Sequence, residues 1–98
     1  MRIYISGAIT GHEDTAEERF RTASMLLKAA YSDAEIVNPW RIGQKIAYTA
    51  KPTHEEFMHI SFALMDICDS VYFIPGWGVS DGCQKERKYA EEKGMVIL

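Results

Sequence analysis

Hydrophobic and polar positions along this chain switch between two periods. Arg2-Ile3-Tyr4-Ile5-Ser6 is β-branched and aromatic and predicts a first strand. After the loop Gly7-Ala8-Ile9-Thr10-Gly11 the period becomes helical, with Phe20, Ala23, Met25, Leu26, Leu27 and Ala30 forming an apolar face up to about Tyr31. That helix is expected to open within Asp14-Thr15-Ala16-Glu17-Glu18, where Thr15 with Glu18 and Asp14 with Glu17 both fit a capping box. Ala34 to Val37 reads as a second strand, stopped by Asn38-Pro39. Trp40 to Lys51 has no clean period and is expected to be a functional loop or lid, holding no more than a helical turn.

A further helix, over 53–67, is expected to start at Thr53, which forms a capping box with Glu56. It carries two apolar faces: Phe57, Ile60, Leu64 and Ile67 on one, Met58, Phe62 and Met65 on the other. Two such faces exceed what one small sheet covers, so a homo-oligomer packed through this helix is expected. Asp69-Ser70 leads into a third strand, Val71-Tyr72-Phe73-Ile74, and Met95 to Leu98 forms a last one. The alternation of strand and helix predicts an α/β fold of three layers. Its small parallel sheet is expected in the flavodoxin-like order 2-1-3-4, with helices on both faces. Ligands in such sheets bind beyond the carboxyl ends of the strands. That edge gathers the Gly7–Gly11 loop, the segment from Asn38 to Lys51 and the turn after strand three.

That turn, Gly76-Trp77-Gly78-Val79-Ser80-Asp81-Gly82-Cys83-Gln84-Lys85-Glu86, is where the chemistry concentrates. Ser80 is placed to cap the helix that follows, and glycines let backbone approach a ligand. A helix start of this kind suits an anion. On a helical wheel Cys83, Ala90 and Gly94 share the face toward the sheet, and Lys85, Lys88, Glu91 and Glu92 point outward. Glu86 falls on the inner stripe beside Tyr89, where a carboxylate is desolvated unless paired or used. The bland alternative is a salt bridge to Arg87 or Lys93.

Composition narrows the field. The chain has 98 residues, enough for one domain over 1–98, with 47% apolar and 26% charged residues. Net charge is −3 with no basic run, which disfavours a nucleic-acid polymer as partner. No apolar run is long enough to span a bilayer, and Met1-Arg2-Ile3-Tyr4 leads straight into a strand without a signal-peptide pattern. A cytoplasmic location, with Cys68 and Cys83 as buried thiols, is expected. His12, His54 and His59 form no metal-ligand or Ser/His/Asp pattern, so no metal or redox cofactor is expected.

Four stretches carry a resemblance: Ile3 to Gly11, Val37-Asn38-Pro39, Cys68-Asp69-Ser70-Val71-Tyr72, and Gly76-Trp77 with Ser80-x-Gly82-x-x-x-Glu86. Over nearly the whole chain the sequence resembles small phage and bacterial proteins of the nucleoside 2-deoxyribosyltransferase superfamily, which includes deoxynucleoside monophosphate N-glycosidases. The resemblance implies that Glu86 is a nucleophile attacking the anomeric carbon of a deoxyribose, with Tyr4 orienting it. It implies a substrate site around Ser6, Gly7, Ala8, Ile9, Gly11, Asn38, Trp77, Ser80 and Gly82, with Trp77 or Trp40 stacking on a base. The partner implied is a small nucleoside or nucleotide, without cofactor. This chain departs from the pattern in having Ala8 and Thr10 where phosphate-preferring glycosidases carry serine and arginine. Ser61 and Ser80 stand where relatives often carry aspartate. Cleavage or transfer of an N-glycosidic bond is therefore expected. A non-catalytic nucleotide-binding module and a purely structural subunit are the rival readings.

Overall fold

A computed structural model describes residues 1–98. Strand β1 (Arg2–Ser6) leads to α1 (Glu13–Ala30), β2 (Glu35–Val37), α2 (Pro39–Thr49), α3 (His54–Asp66), β3 (Ser70–Phe73), α4 (Asp81–Lys93) and β4 (Val96–Ile97), with a 3₁₀ turn over Trp77–Val79 ahead of α4. The four strands form one parallel sheet in the order β2-β1-β3-β4, as the alternation of elements predicts.

Period-two alternation in the central strands divides the core into two. Ile3 and Ile5 of β1 face α1, where they pack with Ala16, Phe20, Ala23 and Leu27. Tyr4 faces the other way, into a second cluster with Met65 of α3, Val71 and Phe73 of β3, and Ala90 of α4. Gly7 follows β1 at a close approach: a Cβ there would stand 2.7 Å from Ile74 Cδ1, so the end of that side chain would have to shift.

Local chemistry explains most helix starts. Thr53 and Glu56 form the reciprocal capping box of α3, and Ser80 Oγ accepts the Cys83 amide at the start of α4. Gly76, with φ +94, makes the left-handed turn that lets the chain leave β3 and fold back toward α4. Helix α1 differs from expectation. It begins at Glu13 after His12, which supplies no side-chain cap, so neither capping box forms. Thr15 instead donates to the His12 carbonyl and accepts from Arg19.

The larger correction is the segment after β2. Residues Pro39–Thr49 are an eleven-residue helix, not a loop. Asn38-Pro39 ends the strand, but it also starts this helix: Asn38 Oδ1 accepts the Trp40 amide, and proline fills the first turn, where its missing N–H is no loss. No residue of α2 is fully buried.

The two apolar faces of α3 are covered to different extents. Met58 and Met65 are buried, Phe62 stacks on Tyr89 with ring centroids 4.4 Å apart, and Phe57, Ile60 and Leu64 face a cavity. Phe57, Ile60 and Leu64 are only half-buried, and Ile67 is exposed. No helix is long and apolar enough to cross a membrane.

Candidate active site

The side of β1 opposite α1 presents Tyr4 and Ser6, two residues apart and each 1% exposed. Helix α4 crosses above them and lays down a stripe of Cys83, Glu86 and Ala90, at helical spacing and all buried. The Glu86 side chain therefore descends onto β1. Tyr4 donates its hydroxyl to Glu86 Oε2 at 2.5 Å, and Ser6 donates to Oε1 at 2.7 Å. The residue is only 6% exposed.

The bland reading of Glu86 required a cationic neighbour. Arg87 instead pairs with Glu91 at 3.8 Å and covers Phe73 and Trp77, while Lys93 pairs with Asp66 at 2.9 Å. Two neutral hydroxyls hold the carboxylate, and no cation neutralises it. Burial accordingly pushes the Glu86 carboxyl above its ordinary value. The hydrogen bonds from Tyr4 and Ser6 and the nearby Ser61 hydroxyl work against that shift without cancelling it. Burial, reinforced by the carboxylate beside it, holds the Tyr4 phenol well above its usual range, so Tyr4 keeps its proton and remains a donor. Burial also pushes the Cys83 thiol up, which leaves it protonated and a poor nucleophile.

Beside this group lies a cavity of about 850 Å³, within the range of small-molecule sites. Glu86, Tyr4 and Cys83 lie at its base. One wall is α2, which contributes Trp40, Gly43 and Ala47 at helical spacing; another is α3, with Phe57, Ile60 and Ser61. The loop after β1 and the turn before α4 close the rest through Ile9, Thr10, Val79 and Ser80. The three segments that the topology predicts at the carboxyl edge do meet there.

Of the positions singled out in the sequence, Glu86, Tyr4, Gly7, Ile9, Ser80 and Gly82 line the cavity, and Ser6 supports the carboxylate. Ala8, Gly11, Asn38 and Trp77 do not line it. The Ala8 carbonyl accepts from Arg19, and Gly11 makes an exposed turn at φ +82. Asn38 is occupied in capping α2 and reaches Ser24. Trp77 packs on Phe73 with centroids 5.1 Å apart, beneath the Arg87 guanidinium, whereas Trp40 lies on the cavity wall. Sequence reasoning placed this segment and Trp40 at the site but missed Gly43, Gln44 and Ala47 of α2, and His54. It placed Phe57, Ile60 and Leu64 on one face but assigned the surplus apolar surface of that helix to a partner subunit, not to a cavity. Ser61, noticed only as a departure from a pattern, lies beside Glu86 and Tyr4. No group of His, Cys, Asp or Glu is arranged to hold a metal ion.

Residues 1–98 match a family model described as a domain of unknown function, DUF4406. No curated protein and no solved structure matches the chain.

Proposed function

The chain belongs to the DUF4406 family, a domain of unknown function, and from its site we propose that it cleaves or transfers the N-glycosidic bond of a nucleoside or nucleotide, with Glu86 as nucleophile. One observation carries this reading: a buried carboxylate with no cationic partner at the base of a cavity large enough for a nucleoside. Keeping such a group desolvated without a counter-charge costs stability, and groups held in this way concentrate at functional sites.

The chemistry follows from the geometry. A Glu86 oxygen bonds to the anomeric carbon while the carbon–nitrogen bond breaks, and that bond's electron pair leaves with the base, which takes a proton from water. The sugar passes through an electron-poor, oxocarbenium-like state that an adjacent carboxylate stabilises and then captures as an ester. Water, or a second base, then attacks the same anomeric carbon and frees Glu86. Tyr4 and Ser6 hold the carboxylate in one orientation throughout. Exclusion of bulk water from the base of the cavity sharpens the attraction between carboxylate and developing cation. The resemblance to the nucleoside 2-deoxyribosyltransferase superfamily supports the same assignment.

A second reading, a binding protein without turnover, is favoured by one feature: both Glu86 oxygens already accept a hydrogen bond, which dampens their nucleophilicity. Incubation with a panel of nucleosides, deoxynucleosides and their monophosphates separates the two. Chromatography should detect free base with the native chain and none with Glu86→Gln. Absence of base from every compound at high protein concentration would leave the binding reading.

A further inference from the structure

We propose that the cavity takes a nucleoside lacking a 5′-phosphate and discriminates against the corresponding monophosphate. The inference rests on the glycosidic reading for the identity of the ligand, but its charge preference comes from the cavity itself. The lining carries three acidic side chains, Glu13, Asp81 and Glu86, and no lysine or arginine.

The basic residues nearby are committed elsewhere. Arg19 braces the loop after β1, donating to the Ala8 carbonyl at 2.5 Å, the His12 carbonyl at 3.2 Å and Thr15 Oγ1 at 3.0 Å. Lys85 pairs with Asp81 at 3.1 Å on the exposed side of α4. The start of α4, the natural seat for an anion, already has Asp81 in its first turn, and Ser80 Oγ already takes the Cys83 amide. A phosphate dianion entering here would face the exposed Glu13 and Asp81 carboxylates at the rim and the buried Glu86 below, and the nearby Lys85 is already held by Asp81, so like charges oppose its binding.

An uncharged ligand fits each of these features. A 5′-hydroxyl donates to a carboxylate such as Asp81 or Glu13, or accepts from the Ser80 hydroxyl, whose oxygen is engaged only as an acceptor. Ile9, Phe57, Ile60 and Leu64 offer apolar surface to the flat faces of a neutral base. Selectivity against the monophosphate thus arises from the same acidic lining that leaves Glu86 without a cation.

Calorimetric titration tests this. The full chain carrying Glu86→Gln, which keeps ligands intact, is titrated with the four common deoxynucleosides and their 5′-monophosphates. The buffer is held at about pH 8, where a phosphate monoester is a dianion. At least one nucleoside is expected to bind about tenfold or more tightly than its monophosphate. The double variant Glu13→Gln/Asp81→Asn, in the same background, is expected to narrow that ratio by strengthening monophosphate binding. Equal or tighter binding of the monophosphates, no binding of any nucleoside, or a ratio unmoved by the double variant overturns the proposal. Base release by the native chain is scored separately. The expected binding ratio without base release defeats the catalytic reading alone; base release with preference for monophosphates defeats the charge preference alone.

Discussion

Tyr4 and Glu86 meet across 2.5 Å, the phenol donating to Oε2, with both side chains almost wholly buried. Tyr4→Phe keeps the ring and removes this donor. The carboxylate then loses one of the groups that stabilise its charge while burial continues to oppose it. The Glu86 carboxyl is therefore expected to rise further, and the acidic limb of kcat/KM for base release should move to higher pH. Loss of the bond should also cost about 1–3 kcal/mol in stability at neutral pH, since a buried acceptor loses its partner. A pH–rate profile with an unmoved acidic limb would show that the phenol does not act on the carboxylate.

Ser6 supports the other oxygen at 2.7 Å, and Ser6→Ala should move the same limb in the same direction. This residue entered the site description as a substrate contact. Its observed bond to Oε1 makes it a positioning residue, whose loss is expected to lower kcat more than it raises KM. Steady-state kinetics on a cleaved nucleoside makes the distinction. A rise in KM alone would return Ser6 to substrate binding.

Glu86→Gln should abolish base release and also stabilise the fold in a pH-dependent way. Burial holds the Glu86 carboxyl above its ordinary value, so the folded chain binds that proton more tightly than the unfolded chain. Stability of the native protein then falls as pH rises from the unfolded carboxyl value, about 4.3, through the higher folded value. Glutamine cannot ionise and escapes that fall. Thermal unfolding should show a higher Tm for Glu86→Gln at neutral pH and near equality below about pH 4, with about 1.4 kcal/mol for each unit by which the folded value is raised. A variant less stable than the native protein at pH 7 would mean that the ionised carboxylate stabilises the fold.

Much of this architecture is legible in the sequence because local and global signals agree. The β-branched runs at Ile3–Ile5 and Val71–Ile74, the Thr53/Glu56 capping box and the Ser80 cap each name an element that forms. The stripe of Cys83, Glu86 and Ala90 places the carboxylate inward before any coordinates are known. Tyr4 as its partner was expected only through the resemblance, and the bond from Ser6 was not legible at all, because both residues reach Glu86 only through the pairing of β1 with β3 and the crossing of α4 above them. Helix α2 was obscured for another reason. Its inner residues Trp40, Gly43 and Ala47 keep helical spacing but line a cavity, so glycine and alanine stand where a core helix would carry large apolar groups. The Asn38-Pro39 pair also has two meanings, strand stop and helix start, and only the first was taken.

Gly7→Ala tests how tightly the end of β1 is packed. The added methyl group would stand 2.7 Å from Ile74 Cδ1 and 3.1 Å from Phe20 Cζ, inside a cluster of buried side chains. Overpacking of this kind typically costs about 1–3 kcal/mol. Since Gly7 follows Ser6 directly, the strain should also disturb the support of Glu86 and lower kcat. Urea denaturation is the measurement. A stability within error of the native chain would mean that Ile74 and Phe20 move aside at no cost.

The two tryptophans separate fold from site. Trp40 lies on the cavity wall, on a helix with no fully buried residue, and also packs against the edge of the α1 core. Trp77 lies outside the cavity, packed against Phe73, with the Arg87 guanidinium over both rings, on the turn that leads to Ser80. Trp77→Ala should therefore act on stability, by roughly 2 kcal/mol against roughly 3–5 for a fully buried aromatic, because part of the ring already meets solvent. It removes no surface that a ligand touches, so ligand affinity at temperatures well below unfolding should stay within about twofold. Trp40→Ala should do the reverse, weakening nucleoside binding by about tenfold through loss of an aromatic wall, with a smaller change in unfolding midpoint. Paired calorimetric titrations and urea melts on the two variants decide the matter. If Trp77→Ala abolished binding while Trp40→Ala left it intact, the ligand would have to lie over the 3₁₀ turn and not in the cavity beside Glu86.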